Sequence, residues 1–217
     1  MRITLPSGTA AELVRPDGEP SMGVVLIPDI MGLRPLFDEH CERLARDNNW
    51  AVCAFELFAG REHLSREERM IAAKDNDDDR ILGDALAAAD ATGCDRVGLI
   101  GFCMGGMYAL KAVKTRRFAR IVAFYGMIRI PGHWRGPGQG EPLEALAQGD
   151  PSTVLAIIGT ADTMTPPDDV EALAATGATV VRYEGAEHGF VHDPERDVHR
   201  PADAVDAWAR AVAWLSD

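Results

Sequence analysis

Long apolar runs are missing from this sequence. No segment approaches the roughly 20 residues that a membrane-spanning helix needs. The opening Met1-Arg2-Ile3-Thr4-Leu5-Pro6-Ser7-Gly8 has no apolar core of the signal-peptide kind. Cysteine is scarce, and none of Cys41, Cys53, Cys94 and Cys103 stands in a C-x-x-C or Cys/His metal spacing, so no metal site is expected and a reducing cytoplasm is the expected location. Basic residues number 22 against 34 acidic ones, a net charge of −12, which argues against nucleic acid or an anionic membrane as partner. The acidic run Asp75-Asn76-Asp77-Asp78-Asp79 lacks the glycine and closing glutamate of a calcium loop, and it reads instead as a break between two helices. Internal repeats and linker-like stretches are also lacking, so residues 1–217 are expected to form a single domain.

What is present is an alternation of short apolar runs with helical patterns. Arg2–Leu5 and Ala11–Arg15 flank Pro6-Ser7-Gly8 and predict a hairpin. Gly23–Ile27 is a near-continuous apolar run of the kind buried on both faces of a parallel sheet, and Trp50–Phe55, Val97–Gly101, Arg120–Tyr125, Thr153–Ile158 and Ala178–Tyr183 read as further strands. Helices are expected over Pro35–Asp47, much of Ser65–Ala91 with a Ser65/Glu68 capping box, Met107–Val113, Pro166–Ala175 and Pro201–Leu215. The implied fold class is α/β, a mostly parallel doubly wound sheet flanked by helices. Residues 126–149, rich in glycine and proline, are expected to form a loop that serves as a lid or wall.

The chemistry concentrates at the ends of three runs. Val97–Gly101 passes into Gly101-Phe102-Cys103-Met104-Gly105-Gly106 and then into good helix formers, a strand–turn–helix in which a nucleophile stands on a sharp turn at a helix N-terminus. There, free N–H groups and the helix dipole favour a thiolate and later an oxyanion. Asp162 closes the run that begins at Thr153, and His188 follows the last run, so Cys103, Asp162 and His188 occur in the order nucleophile, acid, histidine. In that order Cys103 attacks an acyl carbon, His188 keeps it ionised and moves the proton, and Asp162 orients the imidazole.

Together with Pro28-Asp29-Ile30-Met31-Gly32, Phe124-Tyr125-Gly126, Gly159-Thr160-Ala161-Asp162 and Ala186-Glu187-His188-Gly189-Phe190, the cysteine turn makes the chain resemble the dienelactone hydrolase family of α/β-hydrolases over nearly all its length. The resemblance implies the α/β-hydrolase fold and hydrolysis of a small-molecule lactone or ester through a thiol acyl-enzyme, with neither metal nor organic cofactor, by a monomer or homodimer. It implies that Asp29, where family members carry glutamate, contacts the resting thiol, and that the backbone N–H groups of Ile30 and Met104 form the oxyanion hole. It also implies arginines for a substrate carboxylate. One matches Arg66 or Arg69, and the position of the other, four residues after His188, is held by His192. Phe37, Tyr125, Met127 and Trp134 are candidate walls of an apolar pocket. Two other readings of the same thiol are a general carboxylesterase or thioesterase-like hydrolase and a redox- or electrophile-sensing protein. A third is a non-catalytic binding protein on the hydrolase fold, which the presence of all three triad residues disfavours.

Overall fold

The computed structural model describes residues 1–217. Eight strands form one sheet: β1 (Arg2–Thr4), β2 (Ala10–Val14), β3 (Met22–Ile27), β4 (Trp50–Phe55), β5 (Val97–Phe102), β6 (Arg120–Phe124), β7 (Val154–Gly159) and β8 (Thr179–Tyr183). Their spatial order is β1-β2-β4-β3-β5-β6-β7-β8. The predicted N-terminal hairpin pairs β1 with β2 and lays β2 antiparallel on β4, while every later pairing is parallel. The helices are α1 (Pro35–Asn48), α2 (Arg66–Ala72), α3 (Asp78–Ala91), α4 (Met104–Ala112), α5 (Pro142–Leu146), α6 (Pro167–Ala175) and α7 (Pro201–Ser216).

The sheet divides the core into two layers. Side chains alternate along each strand: Val25 and Ile27 of β3 with Val97 and Leu99 of β5 face the layer packed by α3, α4, α5 and α6. Met22, Val24 and Leu26 with Ile100 and Phe102 face the opposite layer, packed by α1 and α7. In α1 the buried Phe37, Cys41, Leu44 and Ala45 recur at helical spacing, as do Ala204, Ala207, Trp208, Ala211 and Leu215 in α7. Cys103 is partly buried at the boundary of both layers.

The Ser65/Glu68 capping box is present, and the acidic run separates α2 from α3 as expected. Asp77 caps α3 by accepting from Asp79 and Arg80 N–H groups at 2.8 and 3.2 Å. Asp78 pairs with the buried Lys111 of α4 at 2.7 Å and accepts from Gly140 N–H at 2.9 Å. The expectation of a lid over residues 126–149 is corrected. Met127, Ile128, Ile130 and Trp134 are buried in the layer of α3 and α4, and Pro142–Leu146 is helical, because the segment carries apolar side chains enough to pack rather than to swing.

Candidate active site

The turn at Cys103 carries a positive φ at a non-glycine residue. Cys103 has φ 54° and ψ −115°, between β5 and α4, and its N–H is held by the Phe124 carbonyl at 3.0 Å. A non-glycine residue rarely adopts such a φ, and here the packing of the flanking elements enforces it. A Cβ on Gly105 would stand 2.2 Å from the Ile27 carbonyl oxygen and 2.3 Å from that of Pro28. That closeness draws the first turn of α4 against the exit of β3, where Asp29 and Ile30 begin their turn.

Asp162 follows β7 and is buried; its Oδ1 accepts from Met164 N–H at 2.8 Å and its Oδ2 lies 2.8 Å from His188 Nδ1. His188 Nε2 is buried without a hydrogen-bond partner. Burial opposes a charge on this imidazole, but its interactions with the neighbouring Cys103 and with Asp162 outweigh it and raise the imidazolium pKa to about 10.

Around Cys103 and His188 lies a cleft of about 360 Å³, whose other lining residues are Asp29, Ile30, Met31, Arg34, Arg66, Asp193 and Arg196. No residue of 126–149 borders it. Arg34 grips Asp29 with both terminal nitrogens, at 2.7 and 3.0 Å, and lies 3.7 Å from Asp193. Arg66 and Arg196 share the cleft and make no side-chain hydrogen bond or ion pair with the protein. Arg196 is held at the cleft wall because its guanidinium covers Gly189 (φ 85°), where a Cβ would stand 1.9 Å from Nη1.

Several expected contacts take a different form. Asp29 is buried beside Cys103, but its oxygens are occupied by Arg34, by His192 Nε2 at 2.8 Å and by Met31 N–H at 2.9 Å, not by the thiol. Burial opposes its charge, yet His192 and Arg34 more than offset this and hold the carboxyl well below the usual carboxylate range. His192 is no substrate anchor. It is fully buried, stacked on Phe37 and hydrogen-bonded through Nδ1 to the Tyr125 hydroxyl. Arg69 is buried against Glu56 at 3.0 Å and donates to the Leu64 and Glu62 carbonyls, so it lies outside the cleft that Arg66 borders. Phe37, Tyr125, Met127 and Trp134 are all core residues outside the cleft, because each one's apolar surface is consumed by the layer beneath it. Sequence reasoning missed Arg34 and Arg196. The signal available was weak: a lone arginine shortly after the Pro-Asp-Ile-Met-Gly turn, and another shortly after the histidine motif.

The dienelactone hydrolase family model matches residues 9–217. A probable 2-oxo-3-(5-oxofuran-2-ylidene)propanoate lactonase of Bradyrhizobium sp is 29% identical over 210 residues, which cover 88% of this chain and 82% of that one. A candidate carboxymethylenebutenolidase of Synechocystis sp. is 28% identical over 206 residues, covering 86% and 82% of the two chains. In fold, a crystal structure of a candidate dienelactone hydrolase from Klebsiella pneumoniae matches with a TM-score of 0.88 at 22% identity, over 100% of this chain and 98% of that one. No helix is long and apolar enough to cross a membrane.

Proposed function

The chain belongs to the dienelactone hydrolase family, and from that membership we propose that its ester- or lactone-hydrolase activity runs through a thiol acyl-enzyme on Cys103, with His188 as proton carrier and Asp162 as its orienting partner. The observation that carries this reading is the His188 imidazole. Nδ1 is fixed by Asp162 at 2.8 Å, while Nε2, buried and without a partner, shares the cleft with Cys103.

The Cys103 thiolate adds to the carbonyl carbon, and the carbonyl oxygen takes the negative charge. The N–H groups of Ile30 and Met104 receive that oxyanion. Removing one such donor typically costs roughly 2.7–4 kcal/mol of transition-state stabilisation. Collapse breaks the acyl carbon–oxygen bond, and the leaving oxygen takes the proton from His188 Nε2. In a lactone that oxygen stays tethered to the acyl group. Nε2 then takes a proton from water, the resulting hydroxide attacks the thioester, and the thiolate leaves with its electron pair while the imidazolium is regenerated. The raised His188 pKa supports an imidazolium in the resting site.

Arg66 and Arg196 border the cleft without protein counter-ions, which supports a substrate carrying a carboxylate. The test is turnover of small aryl esters and unsaturated lactones by the wild type and Cys103→Ala. Cysteine-dependent hydrolysis is expected. Turnover by Cys103→Ala near the wild-type rate would remove the thiol mechanism.

A further inference from the structure

Beneath the nucleophile lies a buried hydrogen-bonded chain that the reaction as described does not use. The Tyr125 hydroxyl meets His192 Nδ1. His192 Nε2 meets Asp29 Oδ2 at 2.8 Å, and Arg34 closes on both oxygens of the same carboxylate. Asp29 Oδ1 also accepts from Met31 N–H at 2.9 Å, and the Asp29 carbonyl accepts from Gly32 N–H at 2.9 Å, so its side chain and backbone bracket the Ile30 N–H. The His192 carbonyl is fixed in turn by the buried His40 Nε2 at 2.8 Å. At the other end of the chain, Tyr125 (φ 39°) sets its ring edge-on against His188, with centroids 5.2 Å apart. The partners define the proton positions. An ionised Asp29 requires a donor, so His192 carries its proton on Nε2 and its Nδ1 accepts from Tyr125.

We propose that Tyr125, His192 and Arg34 clamp Asp29 so that the Asp29–Leu33 turn presents the Ile30 N–H to the developing oxyanion, which makes His192 and Tyr125 positioning residues of the hydrolysis. This rests on the hydrolase reading above. The far end of the same turn is pinned separately: Leu33 N–H donates to Glu56 Oε2 at 2.8 Å, and Glu56 Oε1 is held by Arg69 at 3.0 Å. The turn is thus fixed at both ends by buried acidic side chains, each neutralised by its own arginine. Only the Asp29 end depends on a residue as distant in the chain as His192. An oxyanion donor must be held to a fraction of an ångström, since a displacement of about 1 Å can cost about 100-fold in rate.

The experiment compares wild type, His192→Asn, His192→Gln and Tyr125→Phe in three readouts: kcat and KM on p-nitrophenyl acetate, the rate of Cys103 alkylation by iodoacetamide, and amide hydrogen exchange of residues 29–33. Asparagine reaches only as far as Nδ1 and abandons Asp29, whereas glutamine places an amide N–H near Nε2. His192→Asn and Tyr125→Phe are expected to lower kcat about 10- to 100-fold with KM little changed. Exchange in the turn should rise, and His192→Gln, which keeps a donor for Asp29 but loses the Tyr125 hydroxyl, should fall less than His192→Asn and no further than Tyr125→Phe. Alkylation should stay near the wild-type rate, because displacement of iodide generates no oxyanion. Unchanged kcat or unchanged exchange in His192→Asn overturns the proposal, and so does alkylation falling in parallel with kcat, which would mark His192 as a general support of the elbow. If wild type fails to turn over the ester while exchange still responds to His192→Asn, the hydrolase reading fails and the hold on the turn stands.

Discussion

Arg196 is the residue whose loss separates a carboxylate-binding cleft from a merely polar one. It is partly exposed, it has no protein counter-ion, and the cleft it borders holds Cys103 and His188. A hydrogen bond to a charged group contributes roughly 1.5–3 kcal/mol net, which at 1.4 kcal/mol per factor of ten is about 10- to 150-fold. Partial exposure and screening place Arg196 at the low end, near tenfold. Arg196→Gln should therefore lower kcat/KM about tenfold for a lactone bearing a free carboxylate and leave its methyl ester nearly unaffected. The difference should shrink as salt is raised, because a cleft open to solvent is screened over about 8 Å at physiological ionic strength. Gly189→Ala offers an independent route to the same loss. Its Cβ would displace the guanidinium from above residue 189, and the left-handed backbone adds roughly 1–2 kcal/mol of strain. The assay is steady-state hydrolysis of the acid and its methyl ester in parallel. Equal effects of Arg196→Gln on both substrates, or none on either, would refute the argument for a carboxylate anchor.

Three further outcomes follow from the same contacts. Lys111→Met strands the buried Asp78 with only the Gly140 N–H as partner, and should destabilise by roughly 3–5 kcal/mol in urea unfolding; a loss under about 1 kcal/mol would contradict a buried ion pair there. Gly105→Ala drives a methyl into two backbone carbonyls at 2.2 and 2.3 Å, and should lower both the unfolding midpoint and kcat, since α4 cannot retreat without carrying Met104 N–H with it. For His188 the folded pKa of about 10 exceeds the ordinary 6.5. The stability drawn from that proton is complete below pH 6.5 and lost as pH rises towards 10. Imidazole NMR should show a late titration that moves earlier in Cys103→Ala, and an unmoved titration would mean that the thiol does not stabilise the imidazolium.

Much of the architecture was legible because parallel strands buried on both faces leave uninterrupted apolar runs, and the strand bounds differ from the runs by only a residue or so. Cys103, Asp162 and His188 were legible as candidates for a related reason: each follows the end of a strand, and the structure joins Asp162 to His188 and sets His188 and Cys103 in one cleft. The partners of Asp29 were not. The contact from Asp29 to His192 spans 163 positions, and nothing in either local sequence states it. Arg69 and Arg66 sit three residues apart on one short helix, so composition cannot tell which points inward; burial against Glu56 decides it. Tyr125 and Trp134 failed as pocket residues because an aromatic side chain next to a site signals burial without saying against which layer.

The strand order also sets a timetable for the living chain. The cysteine turn is attached to β5 in the middle of the sheet, whereas the histidine follows β8 at its edge, about 85 residues later; at about 5–20 residues per second, translation separates them by roughly 4–17 seconds. During that interval Cys103 exists without His188 beside it, and Arg196, which lines the same cleft, has not yet been made. On the proposed mechanism, nucleophilic reactivity at Cys103 would therefore arise only after the segment following β8 has been made and has folded onto the sheet.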